Sequence, residues 1–133
     1  MVYGDFGDGT REESNTKPQN IYGEAKLTGE RLTKLFAKRD GLNYTIVRPH
    51  NFYGINQNIW DKYRNVLGIW MYQILNKKNP TIFGDGTQVR AFSYVDDAVM
   101  PLWKASQNKD CIGQIINLGG IKEYSINEAC NVL

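Results

Sequence analysis

The chain has 133 residues, 41% hydrophobic and 23% charged, with a formal net charge of +2. That length carries a real core, and the mixed charges argue against nucleic acid or an anionic membrane surface as a partner. No apolar run approaches the roughly 20 residues that span a bilayer, and the N-terminus shows no signal-peptide pattern.

The first residues, Val2-Tyr3-Gly4, read as the end of a strand entering a loop, and residues 5–20, rich in Gly, Asp, Asn, Thr, Glu and Pro, read as a surface loop. Phe6-Gly7-Asp8-Gly9-Thr10 returns as Phe83-Gly84-Asp85-Gly86-Thr87. The flanks differ, so this is Asp-Gly turn chemistry used twice and not a structural repeat. Asn20 is the expected N-cap of a helix over 21–40. Tyr22, Ala25, Gly29, Leu32 and Phe36 recur at helical steps, Lys38 and Arg39 suit the negative end of the dipole, and Gly41 suits the position just past the end.

Within that helix, Tyr22 and Lys26 stand four residues apart and share a face. A phenol releases its proton only near pH ~10. An ammonium one turn away favours the phenolate. The pair therefore has the makings of a general base with its own activator, although an ordinary amphipathic helix with one aromatic and one solvated lysine has the same pattern.

Tyr44-Thr45-Ile46-Val47 reads as a buried strand stopped by Pro49. Helix, glycine turn and strand in this order suggest a parallel α/β sheet, whose ligand loops follow the carboxyl ends of its strands. Pro49-His50-Asn51-Phe52-Tyr53-Gly54 is such a loop. Val66, Leu67, Trp70, Met71, Ile74 and Leu75 mark a second helix over about 63–77. Thr81-Ile82-Phe83 and Val89 to Tyr94 read as strands around the Gly84-Asp85-Gly86 turn, which suits a small hairpin or a loop. Asp96 or Asp97 is expected to cap a helix through about Ser106, bent at Pro101. Gln114 to Leu118 is a further strand, and Ser125 with Glu128 forms a capping box for a last helix. Trp60, Trp70 and Trp103 are assigned to the core or an interface. Cys111 and Cys130 have no metal-type spacing and only one histidine for company. They are read as reduced, buried thiols of a cytoplasmic protein, and no metal is expected.

Taken together, the landmarks resemble the nucleotide-sugar epimerase/dehydratase family, the extended short-chain dehydrogenases. They run Val2-Tyr3-Gly4, Tyr22-Gly23-Glu24-Ala25-Lys26, Arg48-Pro49-His50-Asn51-Phe52-Tyr53-Gly54, Phe83-Gly84-Asp85-Gly86-Thr87-Gln88-Val89-Arg90, Tyr94-Val95-Asp96-Asp97, Asn117-Leu118-Gly119 and Tyr124-Ser125-Ile126-Asn127-Glu128. The resemblance implies a partial Rossmann-like, doubly wound parallel sheet of α/β class plus part of a small substrate-binding subdomain. About 1–54 and 95–118 would belong to the sheet, and about 55–94 and 119–133 to the substrate region.

It also implies roles. Tyr22 would be the catalytic base or acid on a sugar hydroxyl, and Lys26 would hold the nicotinamide ribose of NAD and tune Tyr22. Pro49 and His50 would pass close to the nicotinamide; His50 stands where the family usually has an apolar or small residue. Asn51 and Asn65 would contact the nucleotide-sugar substrate, Asn65 from a helix N-terminus. Phe83 would line the base pocket, and Arg90 would pair with the diphosphate through its planar fork. The leading activity is a UDP-sugar 4-epimerase closest to UDP-glucose 4-epimerases, with a 4,6-dehydratase or decarboxylase of the same family as the alternative. A homodimer through the tyrosine helix is implied as well.

Three of the family's features are missing from this sequence, one of them the family's last segment, which closes the sugar pocket. There is no Gly-x-x-Gly-x-x-Gly loop for the cofactor pyrophosphate, and the family's Ser/Thr would lie just upstream of Val2, where Met1 stands. The chain is therefore expected to be a fragment, inactive by itself and weak in binding NAD. A non-catalytic remnant is the reading from a different class.

Overall fold

The computed structural model describes residues 2–4, 9–61, 63 and 65–133. The first copy of the Asp-Gly motif thus lies largely outside the described residues. In chain order the elements are α1 (Ile21–Asp40), β1 (Ile46–Pro49), β2 (Phe52–Tyr53), α2 (Val66–Leu75), β3 (Val89–Ala91), β4 (Ser93–Tyr94), α3 (Val95–Gln107), a 3₁₀ turn (Lys109–Cys111), β5 (Ile115–Leu118), β6 (Glu123–Ser125) and α4 (Ile126–Asn131). They fall into two units, Met1–Arg48 with Lys104–Asn117, and Pro49–Trp103 with Leu118–Leu133.

In the first unit α1 forms where the capping residues place it. The Asn20 side chain accepts the Gly23 N–H at 2.8 Å, and Gly41 closes the other end at φ 68°. The Leu42 N–H reaches back to the Ala37 carbonyl at 3.2 Å, which satisfies one of the last free carbonyls. The buried face of α1 is Gly23 and Leu27, with Leu27 packed on Val2 and Tyr3. The stripe Ala25, Gly29, Leu32 and Phe36 lies exposed. Strand β1 pairs with β5. Ile46 N–H donates to the Gln114 carbonyl and His50 N–H to the Leu118 carbonyl, so both strands advance together and run parallel. Val2 and Tyr3 are buried but sit in a turn, not at a strand end as expected. The Tyr3 hydroxyl is drawn instead into a side-chain network with Asn117 and Arg48.

The second unit packs α2 and α4 around Leu67, Trp70, Ile126 and Ala129, with Tyr53, Phe92 and Tyr124 against them. Of the three tryptophans only Trp70 is core, with no exposed surface; Trp60 and Trp103 are 70% and 58% exposed. The expected strand at Thr81-Ile82-Phe83 does not form. Side chains of α2 take its backbone groups: Trp70 Nε1 donates to the Thr81 carbonyl, and the Thr81 N–H donates to Gln73 Oε1. No hairpin forms across Gly84-Asp85-Gly86 either. The segment after it is two short strands, with β3 antiparallel to β6 and β4 parallel to β2. The partner changes at Phe92, where Gly120 crosses so closely that a Cβ there would lie 2.2 Å from the Phe92 carbonyl oxygen. Gly120→Ala should accordingly cost about 1–3 kcal/mol of stability, read as a lower urea midpoint with an unchanged slope.

Helix α3 starts at Val95, so Asp96 and Asp97 lie inside its first turn and neither is its cap. There they still face the positive end of the dipole. The helix is continuous through Pro101. Ser125 and Glu128 form the expected capping box, and hydrogen bonds from the Ser125 N–H and hydroxyl hold the Glu128 carboxyl below its usual range. Cys111 and Cys130 are free thiols, half-buried where full burial was expected. Among the described residues no helix is long and apolar enough to cross a membrane.

Candidate active site

Tyr22 and Lys26 lie in the first two turns of α1, both exposed, with Tyr22 56% accessible. The Lys26 Nζ stands 5.2 Å from the centre of the Tyr22 ring, within cation–π range. Among the described residues Lys26 belongs to no ion pair, so phenol and ammonium present an open pair of polar groups on one helical stripe. This is the juxtaposition expected from the spacing.

The second unit carries the other candidates. Pro49 ends β1 exposed, and His50 follows half-buried. The His50 carbonyl accepts the Ser93 hydroxyl at 3.2 Å. Asn51 adopts φ 45°, a left-handed conformation that asparagine tolerates better than most residues. Its Nδ2 donates to the Ala91 carbonyl at 2.8 Å, which ties the loop to β3 beside Arg90. Asn65 caps α2, its Oδ1 accepting the Leu67 N–H at 2.9 Å while Nδ2 donates to the Phe52 carbonyl. The Asn51–Phe52 turn is thus held by Ala91 and by Asn65. Arg90 is exposed on β3 opposite Tyr124 and donates to the Val89 carbonyl at 2.7 Å. Phe83 is 79% exposed, and its carbonyl accepts the Gln88 side-chain amide at 3.1 Å.

A further group has a role that its place in the Arg48-Pro49 motif did not disclose. Arg48 is buried and forks onto Glu30 of α1, Nε to Oε1 at 2.8 Å and NH2 to Oε2 at 2.7 Å. Its NH1 donates to the Tyr3 hydroxyl and to the Glu12 carbonyl, and the guanidinium lies 4.6 Å from the Tyr3 ring centre. Tyr3 donates in turn to Asn117 Oδ1 at 2.7 Å, and the Asn117 N–H donates to Glu12 at 2.7 Å. The Glu30 carboxylate raises the Arg48 pKa further above its already high ordinary value. One signal in the sequence marks it: an arginine closing a buried β-branched strand needs a partner.

The family model that matches residues 1–119 is the NAD dependent epimerase/dehydratase family. The chain belongs to that family. Among curated epimerase/dehydratase relatives, a putative UDP-glucose 4-epimerase of Methanocaldococcus jannaschii is 34% identical over 92% of this chain and 39% of its own length. A UDP-glucuronic acid decarboxylase 1 of Arabidopsis thaliana is 32% identical over 99% of this chain and 31% of its own length. Among solved structures, a UDP-glucuronic acid 4-epimerase from Bacillus cereus, in complex with UDP-glucuronic acid and NAD, aligns with a TM-score of 0.86. It is 34% identical, covering 96% of this chain and 40% of the neighbour. The chain spans about 40% of the length of the epimerases it matches. Its α/β architecture with parallel strand pairs is that of these Rossmann-like epimerase/dehydratase structures.

Proposed function

We propose that the enzyme carrying this chain is an NAD-dependent 4-epimerase of UDP-sugars in which Tyr22 is the general base and acid. The observation that carries the reading is the open Tyr22–Lys26 pair on one stripe of α1 in a chain of this family. The donor set suits the cofactor: a phenol and an ammonium, both solvent-facing, can meet the hydroxyls of a nicotinamide ribose. NAD, when bound, supplies the redox chemistry at sugar C4. Tyr22 removes the proton of the 4-hydroxyl and later returns it, and Lys26, one turn along the same stripe, holds the nicotinamide ribose. Pro49 and His50 border the nicotinamide. Asn51, Asn65 and Arg90 bind the substrate, the last through its fork on the diphosphate, and Phe83 lines the nucleotide base. The exposed stripe Ala25, Gly29, Leu32 and Phe36 is the contact of a homodimer.

Assaying that enzyme with UDP-glucose, UDP-galactose and UDP-glucuronic acid tests this reading, with inversion at C4 and no net loss from the sugar expected. A stable 4-keto product formed with loss of water would sink it. The Arabidopsis relative favours a second reading, decarboxylation of UDP-glucuronic acid, which release of carbon dioxide would identify.

A further inference from the structure

We propose that the Glu30–Arg48 ion pair is a positioning device that sets the rotation of α1, and with it the aim of Tyr22 and Lys26. The inference rests on the 4-epimerase reading of those two residues. Tyr22, Lys26 and Glu30 recur at every fourth position, and four residues advance a helix by little more than one turn. The three form one slanting stripe. Its first two members face solvent, while the Glu30 side chain is only 10% exposed and its partner Arg48 8%. The stripe carries the reacting phenol at one end and a lock at the other.

The lock has directional geometry. Two near-parallel hydrogen bonds of 2.8 and 2.7 Å fix the plane of the Glu30 carboxylate as well as its distance. Arg48 is itself held by the Tyr3 hydroxyl and the Glu12 carbonyl, and Tyr3 is fastened to Asn117 of β5. The helix is thereby referenced to both strands of the β1–β5 pair. The other buried residues of α1, Gly23 and Leu27, supply apolar contact without direction and resist rotation poorly. Stability does not require an ion pair here, since apolar residues of similar volume often serve a buried site as well or better. Orientation does require one. Side chains reach about 6 Å from a helix axis, so a turn of about 10° moves a phenolic oxygen by about 1 Å. A misplacement of that size can lower a rate about 10²-fold.

The test uses the double variant Glu30→Leu/Arg48→Met and the single variant Arg48→Lys in the enzyme carrying this chain. The double variant is expected to unfold at a urea midpoint close to wild type, with kcat lower by about 10²-fold and KM for the UDP-sugar changed less than about threefold. Arg48→Lys keeps the charge and loses the fork, and its kcat is expected to fall by about tenfold or more. A folded double variant with wild-type kcat overturns the proposal. Amide hydrogen exchange over residues 21–30 gives a readout that needs no substrate. In the double variant it is expected to quicken by about tenfold at residues 21–26, and equal protection in both proteins overturns the proposal. Should the wild-type enzyme epimerise nothing, the site reading fails by itself and the exchange rates still decide the anchor.

Discussion

Replacing Tyr22 by phenylalanine in the enzyme carrying this chain is expected to lower kcat by about 10²- to 10⁴-fold, the range that one positioned acid–base group supplies. KM for the UDP-sugar should change little. The substitution removes one hydroxyl and leaves the aromatic ring, which retains its cation–π contact with Lys26. Tyr22 is 56% exposed and lies outside the buried face of α1, Gly23 and Leu27, so the unfolding midpoint should hold. A fall in kcat with stability and KM intact assigns the proton transfer to this phenol. A loss smaller than about tenfold would mean that another group carries the proton, and the general-base assignment would have to be abandoned.

The second large effect is on stability. Arg48→Met alone should destabilise the chain by about 3–5 kcal/mol, because it leaves the Glu30 carboxylate buried without its counter-charge. It also strips the Tyr3 hydroxyl and the Glu12 carbonyl of a donor. Adding Glu30→Leu should recover most of that loss, since the expensive species is the unpaired charge and not the absent pair. Urea unfolding of the wild type, Arg48→Met and the double variant gives the comparison. If Arg48→Met unfolds within about 1 kcal/mol of wild type, the pair is solvated in practice and its burial has no energetic weight.

Much of this was legible in the sequence because it is local. Asn20, Gly41, Ser125 and Glu128 act on backbone groups within a few residues of themselves, so the ends of α1 and the start of α4 could be read directly. Tyr22 and Lys26 needed only helical spacing to be placed side by side. What escaped depends on partners distant in sequence. Thr81 has strand-like neighbours, but Trp70 and Gln73 reach its backbone from α2 first. Val89 to Tyr94 reads as one strand by composition, and nothing within the segment says that its halves pair with different strands. The stripe Ala25, Gly29, Leu32 and Phe36 has the periodicity of a core face, yet Gly23 and Leu27 are the residues buried. Periodicity names a stripe; the neighbours decide which stripe is covered. Arg48 stood in plain view inside a motif. Its partner Glu30 lies 18 positions away, and no spacing rule joins them.

The partner change at Phe92 constrains how this segment can vary. Val89, Arg90 and Ala91 are opposite Ser125, Tyr124 and Glu123, while Ser93 and Tyr94 are opposite Phe52 and Tyr53. One residue separates the two registers, and Gly120 pins that residue from the side. A slip of one position in either sheet would turn its side chains to the opposite face, and the joining residue is too short to absorb it. The two sheets therefore share a single register, as two gears share an axle. Residues 89–94 can exchange one side chain for another, but their number is held constant: one added or deleted residue would misalign at least one sheet, and with it either the strand that carries Arg90 or the strand that follows Asn51.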